Sequence, residues 1–320
     1  MALSTRAIRR RIKSVKNTSK ITKAMELVSA SKMRKAVSSV LMSRPFARLA
    51  WDTVASIGAV IDVSLHPLLR KEKKSQRVLL LLLTSDRGLA GGINANINKK
   101  VAQIVKDSGS ENIDVIAVGR KGADTARRLK LNLVASFSGI TNNPKFEETL
   151  PIGKMAVEDF IKEKYDQVIL AYTDFISAVN QQPVVLELLP LGSVNEFNDT
   201  RPSSAGLRKG ERDPSLAQDD RQKKALAAPE AHVAPKEYKF EPNPEAVLNR
   251  LLPRLVETMV YQAVLESAAS EHSARMLAMR NASDAAGDMI DSLTFTYNQF
   301  RQAAITREIA EISGGKAALE

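Results

Sequence analysis

Over residues 244–312, apolar or small side chains recur at alternating steps of four and three. The seam reads Leu265, Ala269, His272, Met276, Met279, Ser283, Ala286, Ile290, Leu293, Tyr297, Phe300 and Ala304. That spacing holds one narrow helical face toward a partner helix, so the stretch predicts one half of a coiled coil. Leu248, Leu252, Leu255 and Met259 keep the same beat upstream in a shifted phase. No glycine interrupts before Gly287. Pro253, the only proline after Pro244, lies close enough to the start to kink the helix rather than stop it. At about 1.5 Å per residue, such a helix is roughly 100 Å long, far beyond an ordinary globular helix. The middle of the seam is weak, because Ala269, Ser283 and Ala286 bury little. A second helix must lie close against it, and the rest of the chain must supply that helix.

Residues 3–61 supply it. Ile8, Ile12 and Val15 mark one face. Met25, Val28 and Lys32 continue it loosely, followed by Val37, Val40 and Leu41. Pro45 is the only breaker before Gly58. The opposite face is basic, with Arg9, Lys13, Lys16, Lys20 and Lys23. Two long helices at opposite ends of one chain pair antiparallel if the middle folds back between them.

The middle reads as a small, mainly parallel α/β structure. RVLLLLLT at 77–84 is a continuous apolar run of the kind found in a strand covered on both faces. SDRGLAGGIN at 85–94 leads into a helix near 94–106. Strands at 114–118, 133–137, 167–173 and 183–191 alternate with helices at 121–129 and 149–164. Residues 195–235 are rich in Pro, Ser, Ala, Gly and mixed charge, and hold too few large apolar residues to offset their chain entropy. They are expected to be a flexible insert. The expected fold class is α/β plus long coiled coil: an antiparallel two-helix coiled coil from the terminal segments with a central Rossmann-like α/β domain. Its divisions are 1–62, 75–194, 195–235 and 243–314.

Charge and chemistry narrow the function. The net charge is +11 and there is no cysteine, which excludes disulfides, thiol redox control and cysteine metal sites. Residues 1–48 carry thirteen Lys or Arg against one acid, Glu26. An acidic partner is implied: nucleic acid, a lipid surface or an acidic protein. No apolar run is long enough for a membrane span, and no signal-peptide core follows the basic start, so a soluble intracellular protein is expected. His66, His232 and His272 are scattered, which argues against a histidine metal cluster. The Gly-rich loop has neither the Walker A nor the dinucleotide fingerprint, so a tight strand-to-helix crossover outweighs a phosphate site. No catalytic constellation is present. Glu147 and Glu148 read as a solvated helix start. No active site, cofactor or metal is expected. Charge alone divides the choice between an acidic protein partner and all other acidic surfaces.

Three blocks then resemble the γ subunit family of the F-type ATP synthases: IKSVKNTSKITKAMELVSASKMRKA at 12–36, LTSDRGLAGGIN at 83–94, and ARMLAMRNASDAAGDMIDSL with YNQFRQAAITREIAEISGGKAAL, ending at Leu319. The resemblance covers nearly the whole chain. It implies a rotor without a nucleotide site, whose helix pair enters the catalytic α/β hexamer. Its foot would meet the ε subunit and the c-ring, on the cytoplasmic face of a bacterial inner membrane. It implies contacts to the β subunits through Lys20, Lys23, Met25 and Arg34. Arg301 and Gln302, matching the family's RQA motif, would meet a catch loop of β, with Thr306 and Glu308 close by. Tyr238, Phe240 and Glu241 would face the c-ring. Ala90 stands where many members have Cys, and the insert is longer than expected of a bacterial member. The competing reading is a basic coiled-coil nucleic-acid-binding protein.

Overall fold

The computed structural model describes residues 5–58, 66–69, 77–191, 241 and 243–317. The chain forms two compact units. One joins the N-terminal segment through Ser31 to the C-terminal segment from Arg275, and the other runs from Lys32 to Ala274. The elements in order are α1 (Thr5–Gly58), β1 (Val78–Leu83), α2 (Ile93–Ser108), β2 (Ile113–Val118), α3 (Arg120–Arg128), β3 (Asn132–Phe137), α4 (Phe146–Ile161), β4 (Gln167–Phe175), β5 (Gln181–Leu189) and α5 (Pro244–Ala317). Pro45 and Pro253 lie inside the two long helices without ending them. The expected insert at 195–235 lies outside the described residues.

The first unit is a pair of helices. Arg9 on α1 donates to the Tyr297 hydroxyl on α5 and sits 5.4 Å from the centre of its ring. Burial gives the direction of the pair. On α1 the buried residues run from Ile8, beside Arg9, C-terminally to Thr22 and Ser29. On α5 they lie N-terminal to Tyr297, at Met279 and Ala286, whereas 301–313 are exposed. Only an antiparallel arrangement sets those stretches level with one another.

The expected face of α1 needs correction. Val28 is 55% exposed and Leu41 is 42% exposed. The expected Ile8, Ile12 and Val15 are buried or half-buried, and the line runs on from them through Ser19, Thr22, Glu26 and Ser29 at steps of four and three. The beat continues in the second unit with Met33, Ala36 and Val40. Ser19, Thr22 and Ser29 are small, and the Thr22 hydroxyl donates back to the Ser19 carbonyl at 3.0 Å. Small side chains let two backbones approach, and a self-satisfied hydroxyl adds little desolvation cost. On α5 the seam holds from Met276 to Tyr297, while Phe300 and Ala304 are exposed.

The second unit is built on one five-stranded sheet in the order β3-β2-β1-β4-β5, parallel except for β5. The central strand β1 is buried along its whole length. Strand side chains alternate faces, so the leucine run serves two cores. Leu79, Leu81 and Leu83 join Ile57 of α1, Ile152 and Phe160 of α4, and Leu252, Val256, Val260 and Val264 of α5. Leu80 and Leu82 join Ile97 and Val101 of α2 and Ala123 and Ala126 of α3. At Gly153 a Cβ would lie 3.1 Å from the Glu257 backbone, so α4 and α5 meet almost backbone to backbone there. Glu147 and Glu148 occupy the first turn of α4, where carboxylates complement the helix dipole.

A histidine ties the turn at His66 to α5. Its Nε2–H donates to Asn249 Oδ1 at 3.0 Å, and its Nδ1 accepts from the Leu68 N–H at 3.1 Å. The second bond requires the neutral ring, because a protonated Nδ1 cannot accept. Burial lowers the His66 pKa below 6.5, against the opposing pull of Asn249. A folded pKa below the unfolded one contributes stability that is complete above 6.5 and is lost as pH falls through the folded value. Denaturant midpoints of the chain should therefore fall on acidification below 6.5, and this component should vanish in His66→Gln. In the helix pair, Ala286→Leu should cost about 1–3 kcal/mol by overpacking the seam, read as a lower melting temperature.

Candidate functional site

The candidate contacts lie on exposed helix faces. In the first unit, Lys20 and Lys23 are exposed and Met25 is half-buried beside the seam. Lys23 pairs with Glu26 at 3.0 Å, so the one acid of the basic segment offsets part of its charge. Ile21 and Leu27 are each more than 60% exposed and Val28 is 55% exposed. Residues of an α-helix are offset by about 100°, which puts Lys20, Ile21, Ala24, Leu27 and Val28 on one face. That face is both basic and apolar, and it turns away from the seam. Arg34, in the second unit, is also exposed.

Arg301, Gln302, Thr306 and Glu308 are all exposed on α5. The same geometry gathers Arg301, Gln302 and Glu308 within an arc of about 120°, with Thr306 at its edge. Ile305, Ile309 and Ile312 fall inside that arc and are 48%, 59% and 68% exposed. The sequence reading passed over these isoleucines, although their steps of four and three carry a helical stripe beyond the seam. A fork of donors, an amide and three large apolar groups on one open helix face suit a protein partner with both carboxylate and apolar surface. Glu241 is exposed. Tyr238 and Phe240 lie outside the described residues.

The Gly-rich loop after β1 is not an open anion cradle. Asp86 turns inward from it and acts as the anion itself. Its Oδ1 accepts from the Arg120 N–H at the start of α3, at 3.2 Å. Its Oδ2 accepts from the Gly139 N–H at 2.8 Å and from the Thr141 hydroxyl at 3.3 Å. Thr84 accepts from the Gly122 N–H at 2.6 Å, and Ser85 and Asn94 exchange two hydrogen bonds. Gly119 has φ +94°, and a Cβ there would stand 2.1 Å from the Thr84 carbonyl oxygen, so only glycine fits. The loop ends of β1, β2 and β3 are thus laced together by side chains, which supports the crossover reading. Among the described residues, no group of three or more His, Asp or Glu side chains gathers to hold a metal ion.

The family profile described as ATP synthase matches residues 4–319. The ATP synthase gamma chain of Dehalococcoides mccartyi is 40% identical over 98% of each chain. That of Herpetosiphon aurantiacus is 41% identical over 99% of each. Among solved structures, the central stalk and c-ring of the Tetrahymena thermophila mitochondrial ATP synthase contains a chain with TM-score 0.56 and 26% identity. The match covers 82% of this chain and 99% of that one. A chain of the Euglena gracilis mitochondrial ATP synthase has TM-score 0.62 at 19% identity, over 98% and 94% of the two chains, and shares the fold. One unit is a helix pair made from the two ends of the chain, and the other is built on the α/β sheet. The chain belongs to the ATP synthase gamma chain family.

The Asp86 bonds give a test of the loop. Asp86→Ala should lower stability by about 1–3 kcal/mol, since it strands backbone donors that a carboxylate now satisfies. Asp86→Asn should recover part of it, as read from urea unfolding.

Proposed function

We infer that the chain is the central-stalk rotor subunit of an F-type ATP synthase, coupling ion-driven rotation of the c-ring to conformational change at the catalytic β subunits. The observation that carries this is the likeness to bacterial gamma chains along 98–99% of both partners. It is a non-catalytic subunit. Its partners are the α and β subunits of the hexamer, the ε subunit and the c-ring. Among the described residues no helix is long and apolar enough to cross a membrane, in keeping with a peripheral place beneath the catalytic head. The four parallel strands with helices on both faces support a Rossmann-like reading of the α/β unit. The nucleic-acid reading is weakened by Ile21, Leu27 and Val28, which break up the basic face with exposed apolar surface. Phosphate neutralisation has no use for such residues.

The contact residues follow from this reading. Lys20, Lys23, Met25 and Arg34 would meet acidic loops of β. Arg301 and Gln302 would grip one loop of β from adjacent directions, with Thr306 and Glu308 beside them. Tyr238, Phe240 and Glu241 would face the c-ring. The domain divisions proposed above, 1–62, 75–194, 195–235 and 243–314, follow the same reading.

Arg301 offers the sharpest test, because its planar fork suits a carboxylate and Lys cannot reproduce it. In reconstituted complexes Arg301→Ala should lower ATP turnover by about tenfold, the equivalent of one charge-assisted hydrogen bond, and should weaken subunit retention. Arg301→Lys should restore part of both. The isolated chain should melt as wild type, because Arg301 is exposed. Unchanged turnover and retention in Arg301→Ala would remove the residue from the coupling contact.

A further inference from the structure

The last hold that the second unit has on α5 is polar. From Leu248 to Val264 the helix is seated in the core by large side chains. From Ser267 to Ser273 most of the buried residues are small, namely Ser267, Ala268, Ala269, Ser270 and Ser273, with Glu271 and His272 buried among them. The Ala and Ser positions have low ridges and shallow grooves, so their interdigitation adds little resistance to twisting. At that point the β4–β5 hairpin supplies hydrogen bonds instead. The Ser270 hydroxyl donates to the Thr173 carbonyl at 3.1 Å, and the Ser273 hydroxyl donates to the Ala178 carbonyl at 2.6 Å. Thr173 stands opposite Pro183 in the β4–β5 pair, and proline has no N–H to give to the ladder. Gln181 Nε2 lies 3.4 Å from Ser273 Oγ, 3.0 Å from the Ala178 carbonyl and 3.2 Å from the Ser177 carbonyl. The turn is closed by the Ser177 N–H on the Asn180 carbonyl at 3.0 Å and by the Asn180 N–H on Ser177 Oγ at 3.1 Å.

We propose that this hairpin is a torque collar, with Ser270 and Ser273 as the positioning residues that lock the rotation of α5 to that of the sheet. Taking the rotor role as given, torque entering the α/β unit passes into the two long helices that run through it, α1 and α5. Side chains at the helix rim act about 5 Å from its axis. A directional bond there resists tangential slip, which a smooth apolar contact does not. Both serines are fully buried, so water cannot substitute for the carbonyl partners, and the hold persists under load.

The test uses the assembled complex. The chain has no cysteine, so Glu111→Cys on the exposed surface of the second unit gives a unique attachment for a magnetic bead. With the catalytic hexamer fixed, twisting the bead reads the torsional stiffness of the path, and free ATP-driven turning of the bead reports the rotor role separately. Ser270→Ala with Ser273→Ala should soften the path. Amide exchange at Ser177 and Asn180 should rise by about fivefold for each hydrogen bond lost. If the double variant fails to assemble, Gln181→Leu, which keeps both serines but removes the bridge from Ser273 to the turn, should show the same softening in smaller degree. Val179→Ala, at the exposed hairpin tip, should behave as wild type. Unchanged stiffness in the serine and glutamine variants would overturn the proposal. Faster exchange with unchanged stiffness would overturn it too, since the serines would then hold the fold and carry no load.

Discussion

Everything in this chain depends on α5 meeting two different demands along one continuous helix. Its first half presents Leu252, Leu255, Val256, Val260 and Val264 to the sheet and is sunk into the main core. That burial is broad, and it anchors the helix by the apolar area removed from water. Among the described residues its second half has one helix, α1, for a neighbour and presents a narrow seam ending near Tyr297. A wide apolar arc in the second half would be left wet. A narrow seam in the first half would leave β1 uncovered. Near Arg275 burial narrows from a broad surface to a single seam, and there one demand gives way to the other.

The sheet is organised by the same logic. β1 lies at its centre and has no solvent face, so it is leucine on both sides and makes two cores. The loops at its C-terminal edge are then held by polar side chains rather than by packing. Asp86 satisfies backbone donors on two neighbouring loops. A Gly-rich loop in that position elsewhere holds phosphate. Here the fold supplies its own carboxylate, and the unit serves as a body to be turned.

Much of this was legible in the chain because it rests on large apolar groups. The step of four and three from Met276 to Tyr297 and the run at 78–83 each carry an unmistakable period, and both became the elements they predicted. The face of α1 was misread because Ser19, Thr22 and Ser29 are polar by type and seam residues by position. Their value lies in size, which a hydrophobic pattern does not register. Ser270 and Ser273 were invisible for the same reason, and their partners are backbone carbonyls far along the chain. The candidate contact residues Arg301, Gln302, Thr306 and Glu308 come from resemblance to a family. Physical pattern alone would have pointed to Ile305, Ile309 and Ile312, which share their face.

The open stripe on α5 also bears on the life of the chain before assembly. A free copy displays three isoleucines on one face of an uncovered helix end. Such a surface attracts other apolar surface without regard to identity, and an exposed terminal helix opens readily to proteases. The feature that makes the subunit useful inside a complex therefore makes it a poor free citizen. An unassembled copy is therefore prone to aggregation and to cleavage along that stretch.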